Sequence, residues 1–241
     1  MNHSLQICDS QSGEERDFHF EMQKYSMHLR ADFVARQAAI YELYKMTLDL
    51  PGSIVELGVR NGATFYYLAR LLEIFGPASR KNPVYADRHL FGFDTFSGFT
   101  EIADQDKSSG NWPEMRVGGV STYNKQQFLA DFARFQQQSP EGSRLHIIEG
   151  DVCETVPRFV RERPGTVIAL LYFDLDVYRP TLTCLEHLYS LVPAGGLVVF
   201  DEYGYAEFPG ETTAVNEFFQ GKNVRFRRFP WAYCPSAYLV K

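Results

Sequence analysis

Two stretches of this 241-residue chain end an apolar run in a pair of acids. Ile168 to Phe173 reads Ile-Ala-Leu-Leu-Tyr-Phe, and Asp174 and Asp176 follow with one residue between them. Leu197 to Phe200 repeats the arrangement, with Asp201 and Glu202 directly after it. A buried strand cannot hold unpaired charges, so both pairs must lie where a strand leaves the core. Asp174, Asp201 and Glu202 offer hard oxygen ligands, with no sulfur or imidazole beside them in sequence. Such a set suits Mg²⁺, or else Mn²⁺ or Ca²⁺, better than zinc. An ion held there could orient a substrate diol and lower the pKa of its attacking hydroxyl. A neighbouring carboxylate could then take the proton. The plainer alternative is that these acids cap helices or form salt bridges.

Three further acids follow the same rule. Ser53-Ile-Val-Glu56 is a short apolar strand ending in an acid, and Gly58 and Gly62 then open a helix. Glycines let a ligand approach the backbone, and a helix N-terminus offers unpaired N–H groups. Arg60 stands where a dinucleotide fingerprint needs its second glycine, which disfavours a nicotinamide dehydrogenase. Leu90 to Asp94 is the second strand, and its terminal acid is placed to hydrogen-bond a ribose. Leu145 to Glu149 is the third, followed by Gly150 and Asp151. Asp151 could meet an adenine amino group or cap the next helix.

Positioning these acids on one edge requires an alternating α/β chain. Helices are expected at about 18–50, 62–75, 124–138, 154–163, 179–191 and 211–220. In the first, Phe33, Ile40, Leu43, Tyr44 and Leu48 share a face. Strands at 168–173 and 197–200 carry the acid pairs, and two more are expected at 224–229 and 237–240. The pattern predicts one open, mostly parallel sheet covered on both faces, and ligands bind such sheets at the carboxyl ends of the strands. Residues 1 to about 14 read as a frayed end. The helical segment 1–50 reads as a packing element, a lid or a dimer contact, and 51–241 as the ligand-binding domain. The aperiodic stretch 100–121, with Trp112, reads as a mobile loop near the substrate.

The composition bounds the partners. A net charge of -6 disfavours nucleic acid, because neutralising phosphates takes clustered Lys and Arg. No apolar run approaches the ~20 residues of a membrane span. Four cysteines without a CxxC pair suit a reducing cytoplasm. The expectation is a soluble cytoplasmic protein acting on a small molecule.

Taken together, the motifs resemble the macrocin-type sugar O-methyltransferases, the TylF family. The matching pieces are Val55-Glu-Leu-Gly-Val-Arg-Asn-Gly62, Gly92-Phe-Asp-Thr-Phe-Ser-Gly98, Gly150-Asp151, Phe173-Asp-Leu-Asp-Val-Tyr178, Phe200-Asp-Glu-Tyr203 and Pro209-Gly-Glu-Thr212. The resemblance implies a class I methyltransferase Rossmann-like fold with a seven-stranded sheet. It implies S-adenosylmethionine as methyl donor, Mg²⁺ at the second pair of strand ends, and a sugar hydroxyl as acceptor in antibiotic biosynthesis. Glu56 and Gly58 would receive the methionine end of the cofactor, Asp94 its ribose and Asp151 its adenine, with Gly62 and Ser97 also in the cofactor site. Asp174 would serve metal, cofactor and catalytic base together, with Asp201 and Glu202 completing the metal set. The family's usual second pair is two Asp, so Glu202 departs from it, and Asp176 could replace either partner. The acceptor is expected to be a nucleotide-linked deoxysugar or a glycosylated natural product, and the enzyme a homo-oligomer. The alternatives are a catechol-like phenol O-methyltransferase and a non-catalytic cofactor-binding partner of a tailoring enzyme.

Overall fold

The strands that end in these acids all run parallel to one another, which brings the acids to one edge. The computed structural model describes residues 6–8, 15–17, 25–79, 88–108 and 112–241. The sheet strands are β1 (Ser53–Leu57), β2 (Leu90–Asp94), β3 (Leu145–Glu149), β4 (Ile168–Phe173), β5 (Leu197–Phe200) and β6 (Ala237–Val240). Their spatial order is β3-β2-β1-β4-β5-β6. All neighbours are parallel except β6, which runs antiparallel to β5. Strand order reverses between β1 and β4, the crevice where open α/β sheets take their ligands.

The register aligns the strand ends. Leu57 lies opposite Phe173, and Phe173 opposite Phe200. The backbone ladder then runs one residue further: Asp174 N–H donates to Leu57 O at 2.8 Å and Asp201 N–H to Phe173 O at 3.0 Å. Residues following these strands therefore emerge side by side.

Six helices cover the sheet: α1 (Ala31–Lys45), α2 (Ala63–Ser79), α3 (Lys125–Gln138), α4 (Val152–Glu162), α5 (Tyr178–Leu188) and α6 (Pro209–Phe219). Side chains alternate across the strands, which splits the core into two layers. Ile54, Leu170, Tyr172 and Val199 pack under α1, α2 and α3, against Ile40, Tyr44, Phe65 and Phe128. Val55, Leu171, Phe173 and Phe200 pack under α4, α5 and α6, against Val156, Phe159, Leu185 and Val215. Burial on both faces explains why β4 and β5 are unbroken apolar runs.

Four expectations are revised. The predicted seventh strand at 224–229 is reduced to one antiparallel bridge, Arg227 to Tyr238, so the sheet has six strands among the described residues. Arg225, Arg227 and Arg228 are exposed there, and Pro230 cannot donate to a ladder. The predicted helix over 18–50 breaks at Leu29 and Arg30, between a short turn at Tyr25–His28 and α1; residues 18–24 lie outside the described residues. Arg30 is extended, with φ -69° and ψ 146°, and its guanidinium holds Asp32 at 2.9 and 3.1 Å. Within the stretch expected to be frayed, Gln6–Cys8 pairs antiparallel with Glu15–Asp17. The 100–121 stretch is also more ordered than its sequence suggests. Buried Asp106 accepts the N–H groups of Ala103 and Tyr178, each at 2.7 Å. Phe99 exchanges backbone bonds with Gly118 and Gly119.

Candidate active site

A cleft of about 550 Å³ opens at the carboxyl edge of the sheet, over the β1/β4 crevice. Eight of the candidate site residues named from the sequence line it: Glu56, Gly58, Asp94, Asp151, Asp174, Asp176, Asp201 and Glu202. Gly62 is buried and Ser97 exposed, and neither belongs to the lining. Gly62, with φ +85°, makes the turn into α2, where a Cβ would meet the Tyr66 ring at 2.5 Å.

The cofactor-side acids have distinct surroundings. Glu56 is buried, and its Oε2 finds no partner among the described residues. Burial, then the negative charge of Asp174, pushes its carboxyl well above the usual range. A buried acceptor on the cleft wall with no partner among the described residues suits a cationic donor such as an amino group. Asp94 accepts N–H bonds from Arg60 at 2.6 Å and Phe96 at 2.5 Å, so it also shapes the glycine loop after β1. Asp151 caps α4 through Cys153 N–H at 2.8 Å and accepts from Thr100 Oγ1 at 2.7 Å. Its capping role and its place on the cleft wall coexist.

The strand-end pairs form a denser cluster. Carboxylate oxygens of Asp174, Asp176 and Glu202 lie within 4.8 Å of one another. Asp201 groups instead with Glu202 and Cys234 over the same span. Glu202 Oε2 is buried without a partner among the described residues, and Glu211 Oε1 accepts the Glu202 N–H at 3.1 Å. Asp176 is 7% exposed and sits at φ +65°, a strained conformation for a non-glycine residue. Burial, then Asp201, raises its carboxyl to about 7. Burial and neighbouring carboxylates also push Asp174 and Glu202 well above their usual values. Asp201 differs: burial opposes its ionisation, but Arg36 and hydrogen bonds from its neighbours hold it below the usual range.

That exception has a visible cause. Arg36, from α1, reaches over the strand ends and donates from Nη1 to Asp201 Oδ2 at 2.6 Å and from Nη2 to Asp174 Oδ2 at 2.8 Å. A further bond from Nη2 goes to Thr64 Oγ1 at 3.2 Å. The Tyr172 hydroxyl donates to the other oxygen of Asp201, Oδ1. Sequence reading missed Arg36, Thr64 and Tyr172, since nothing in their spacing sets them apart. It also missed Cys234, which the return of the chain brings to Asp201 and Glu202. Burial, then Asp201, raises the Cys234 thiol above its normal value, so it stays protonated. The remaining donors are all carboxylate oxygens, a hard set that fits Mg²⁺.

The opposite wall is aromatic. Trp112 and Phe208 meet edge to face with ring centroids 4.8 Å apart, and Tyr233 stacks on Tyr205 at 4.5 Å. Trp112, Phe208 and Tyr233 all line the cleft.

The family model of the macrocin O-methyltransferases (TylF) matches residues 15–227. The chain belongs to this family. Its fold is that of the solved calicheamicin methyltransferase CalS11, at 33% identity and a TM-score of 0.79, covering 91% of this chain and 83% of that one. A second structure of CalS11, described as a TDP-rhamnose 3'-O-methyltransferase of calicheamicin biosynthesis, matches at 32% identity with a TM-score of 0.70, over 92% of this chain and 86% of that one. Among curated relatives, the chain is 26% identical to a tetracenomycin-C rhamnosyl 4'-O-methyltransferase of Streptomyces olivaceus, over 64% of its own length and 54% of the relative's. It is equally 26% identical to the mycinamicin III 3''-O-methyltransferase of Micromonospora griseorubida, over 70% and 61%. The chain thus spans somewhat over half the length of the curated relatives it matches. Family membership gives the strand-end acids and the glycine loop a shared context that neither has alone.

Proposed function

We propose that this macrocin O-methyltransferase family member is an S-adenosylmethionine-dependent enzyme that methylates a sugar hydroxyl in antibiotic or other secondary-metabolite biosynthesis. The observation that carries this reading is the convergence of Glu56, Asp94 and Asp174 on one cleft, Glu56 with an unpartnered oxygen among the described residues. The names of two relatives support a sugar acceptor, one a TDP-rhamnose 3'-O-methyltransferase and the other a methyltransferase of a rhamnosyl-tetracenomycin.

S-adenosylmethionine would supply a methyl group on positively charged sulfur, open to in-line attack by oxygen. Glu56 would take the amino end of the donor, Asp94 would accept from its ribose, and Asp151 would lie beside its adenine. Thr95, Gly98 and Thr100 share that part of the wall. Asp174, Asp176 and Glu202 would hold a divalent cation, Mg²⁺ by donor chemistry, which when bound makes the acceptor hydroxyl more acidic. Asp201 backs this set through its contacts with Arg36 and Tyr172.

Asp174 would accept the hydroxyl proton on Oδ1, the oxygen opposite the one that Arg36 engages. Its raised basicity suits that role, because a stronger base pulls harder on a weakly acidic alcohol. Trp112, Phe208 and Tyr233 would hold the apolar face of the acceptor, and positioning the two reactants supplies a large part of the rate.

The test is methyl transfer from labelled S-adenosylmethionine to nucleotide-linked deoxysugars, glycosylated natural products and catechols, each with Mg²⁺ and with EDTA. Transfer to a sugar that EDTA abolishes is the expected result. Transfer to catechols alone would establish a phenol methyltransferase. Cofactor binding with no transfer to any acceptor would point to a non-catalytic partner of a tailoring enzyme.

A further inference from the structure

One cation already sits on the acids assigned to a metal. The Arg36 guanidinium, on a helix more than a hundred residues away in sequence, contacts one oxygen of Asp174 and one of Asp201. The second oxygen of Asp201 accepts from Tyr172. Both Asp201 oxygens are therefore engaged, and its side chain is only 2% exposed. Asp174 belongs at once to the Arg36 pair and to the Asp174–Asp176–Glu202 set. A divalent ion using Asp174 would come close to the guanidinium in a site with little water. Like charges repel strongly there, because the local dielectric is low.

We propose that Arg36 and a divalent cation compete for the carboxylates at the ends of β4 and β5, so that cation binding loosens the start of α1 from the active site. This rests on the metal reading given above. The packing of α1 sets which part would respond. Its second half is anchored by Ala39, Ile40, Leu43 and Tyr44, all buried. In its first half Ala31, Asp32 and Val34 are exposed and Phe33 is half-buried, so Arg36 is the main polar tie of that half to the sheet edge. Displacing the guanidinium would free residues 31–38 and leave the rest of the helix seated. The released turn carries Asp32, Phe33 and Arg36 itself, all of which line the cleft. Cation loading and the shape of the acceptor side would be coupled through one side chain.

The experiment measures Mn²⁺ affinity by electron paramagnetic resonance for the full chain, for Arg36→Met and for Arg60→Met. Arg60 also lines the cleft, and removing it lowers the local positive charge without removing a contact to Asp174 or Asp201. Arg36→Met should bind Mn²⁺ about tenfold tighter than wild type, equivalent to ~1.4 kcal/mol, with Arg60→Met within about threefold of wild type. In the wild type, Mn²⁺ should speed amide hydrogen exchange over residues 31–38 and leave 39–45 unchanged. Equal affinities for Arg36→Met and wild type, or an equal gain in Arg60→Met, would overturn the competition, as would exchange over 31–38 that is unchanged or slower. Should Arg36→Met fail to fold, the wild-type exchange measurement decides by itself. S-adenosylmethionine binding is titrated in the same samples. Absence of Mn²⁺ binding with cofactor binding intact would overturn both the competition and the metal reading, leaving the methyltransferase reading in place.

Discussion

A Cβ added to Gly58 would lie 1.8 Å from the carbonyl oxygen of Asp174. The residue after β1 and the residue after β4 are packed backbone to backbone, at the point where the strand order reverses. This contact fixes the glycine: Gly58 has φ +93° and no room for a side chain. It also fixes Asp174, whose N–H is held by Leu57 O. The loop after β1 and the carboxylate proposed as the base are therefore held together through their backbones.

Gly58→Ala should disrupt both. Strain at this φ costs ~1–3 kcal/mol by itself, and the clash forces β1 and β4 apart. A loss of at least ~3 kcal/mol by urea denaturation is expected, within the range of severe core substitutions. An unchanged midpoint would show that the two strand ends are not so tightly joined.

Asp174→Asn should abolish methyl transfer while leaving the dissociation constant for S-adenosylmethionine nearly unchanged, if this acid serves metal and acceptor as proposed. Calorimetry of cofactor binding beside a turnover assay separates the roles. Equal losses in both would reassign Asp174 to the cofactor.

Asp94→Ala should weaken S-adenosylmethionine binding by ~1.5–3 kcal/mol, the usual value of hydrogen bonds to a charged group. Part of the loss would come from the glycine loop, since Arg60 and Phe96 lose their acceptor. Asp94→Asn keeps one carbonyl oxygen and should fall between the two. A wild-type dissociation constant in the alanine variant would remove Asp94 from the site.

The pH dependence has a defined sign. Burial, then Asp201, raises the Asp176 carboxyl from 3.8 to about 7 in the folded chain. The folded state then binds the proton more tightly than the unfolded one. Its contribution to stability is complete below the unfolded value and is lost as pH rises through the folded value. Without divalent cations, Asp176→Asn should therefore raise the melting temperature relative to wild type more at pH 8 than at pH 4. A difference that does not change with pH would show that Asp176 does not titrate in this window.

Arg88 is 2% exposed and ties the end of α1 to the start of β1. Its guanidinium donates to Thr47 O at 2.8 Å, Leu50 O at 2.7 Å, Gly52 O at 3.0 Å and Thr47 Oγ1 at 3.1 Å. Arg88→Leu leaves buried carbonyls unpaired and should lose roughly 3 kcal/mol or more of stability. A denaturation midpoint equal to wild type would be the contrary result.

The sequence by itself determined which strands are central and which acids end them. Unbroken apolar runs followed at once by charge have one physical solution, a strand buried on both faces that stops at the sheet edge. That logic identified β4, β5 and the edge on which ligands bind, while the resemblance of the motifs gave the family. It failed at 224–229, where β-forming residues were legible but the lack of a buried partner was not. Tertiary structure alone decided the grouping of the acids. Spacing could not say that Asp176 would turn inward beside Glu202, nor that Asp201 would have both oxygens taken. Those outcomes depend on Arg36, Tyr172 and Cys234, which lie on separate elements and meet the acids only after the chain folds. A charge on a helix reads as a solvated face until the sheet edge beneath it is known. Electrostatic partners are set by distance in space, and local sequence patterns do not record that distance.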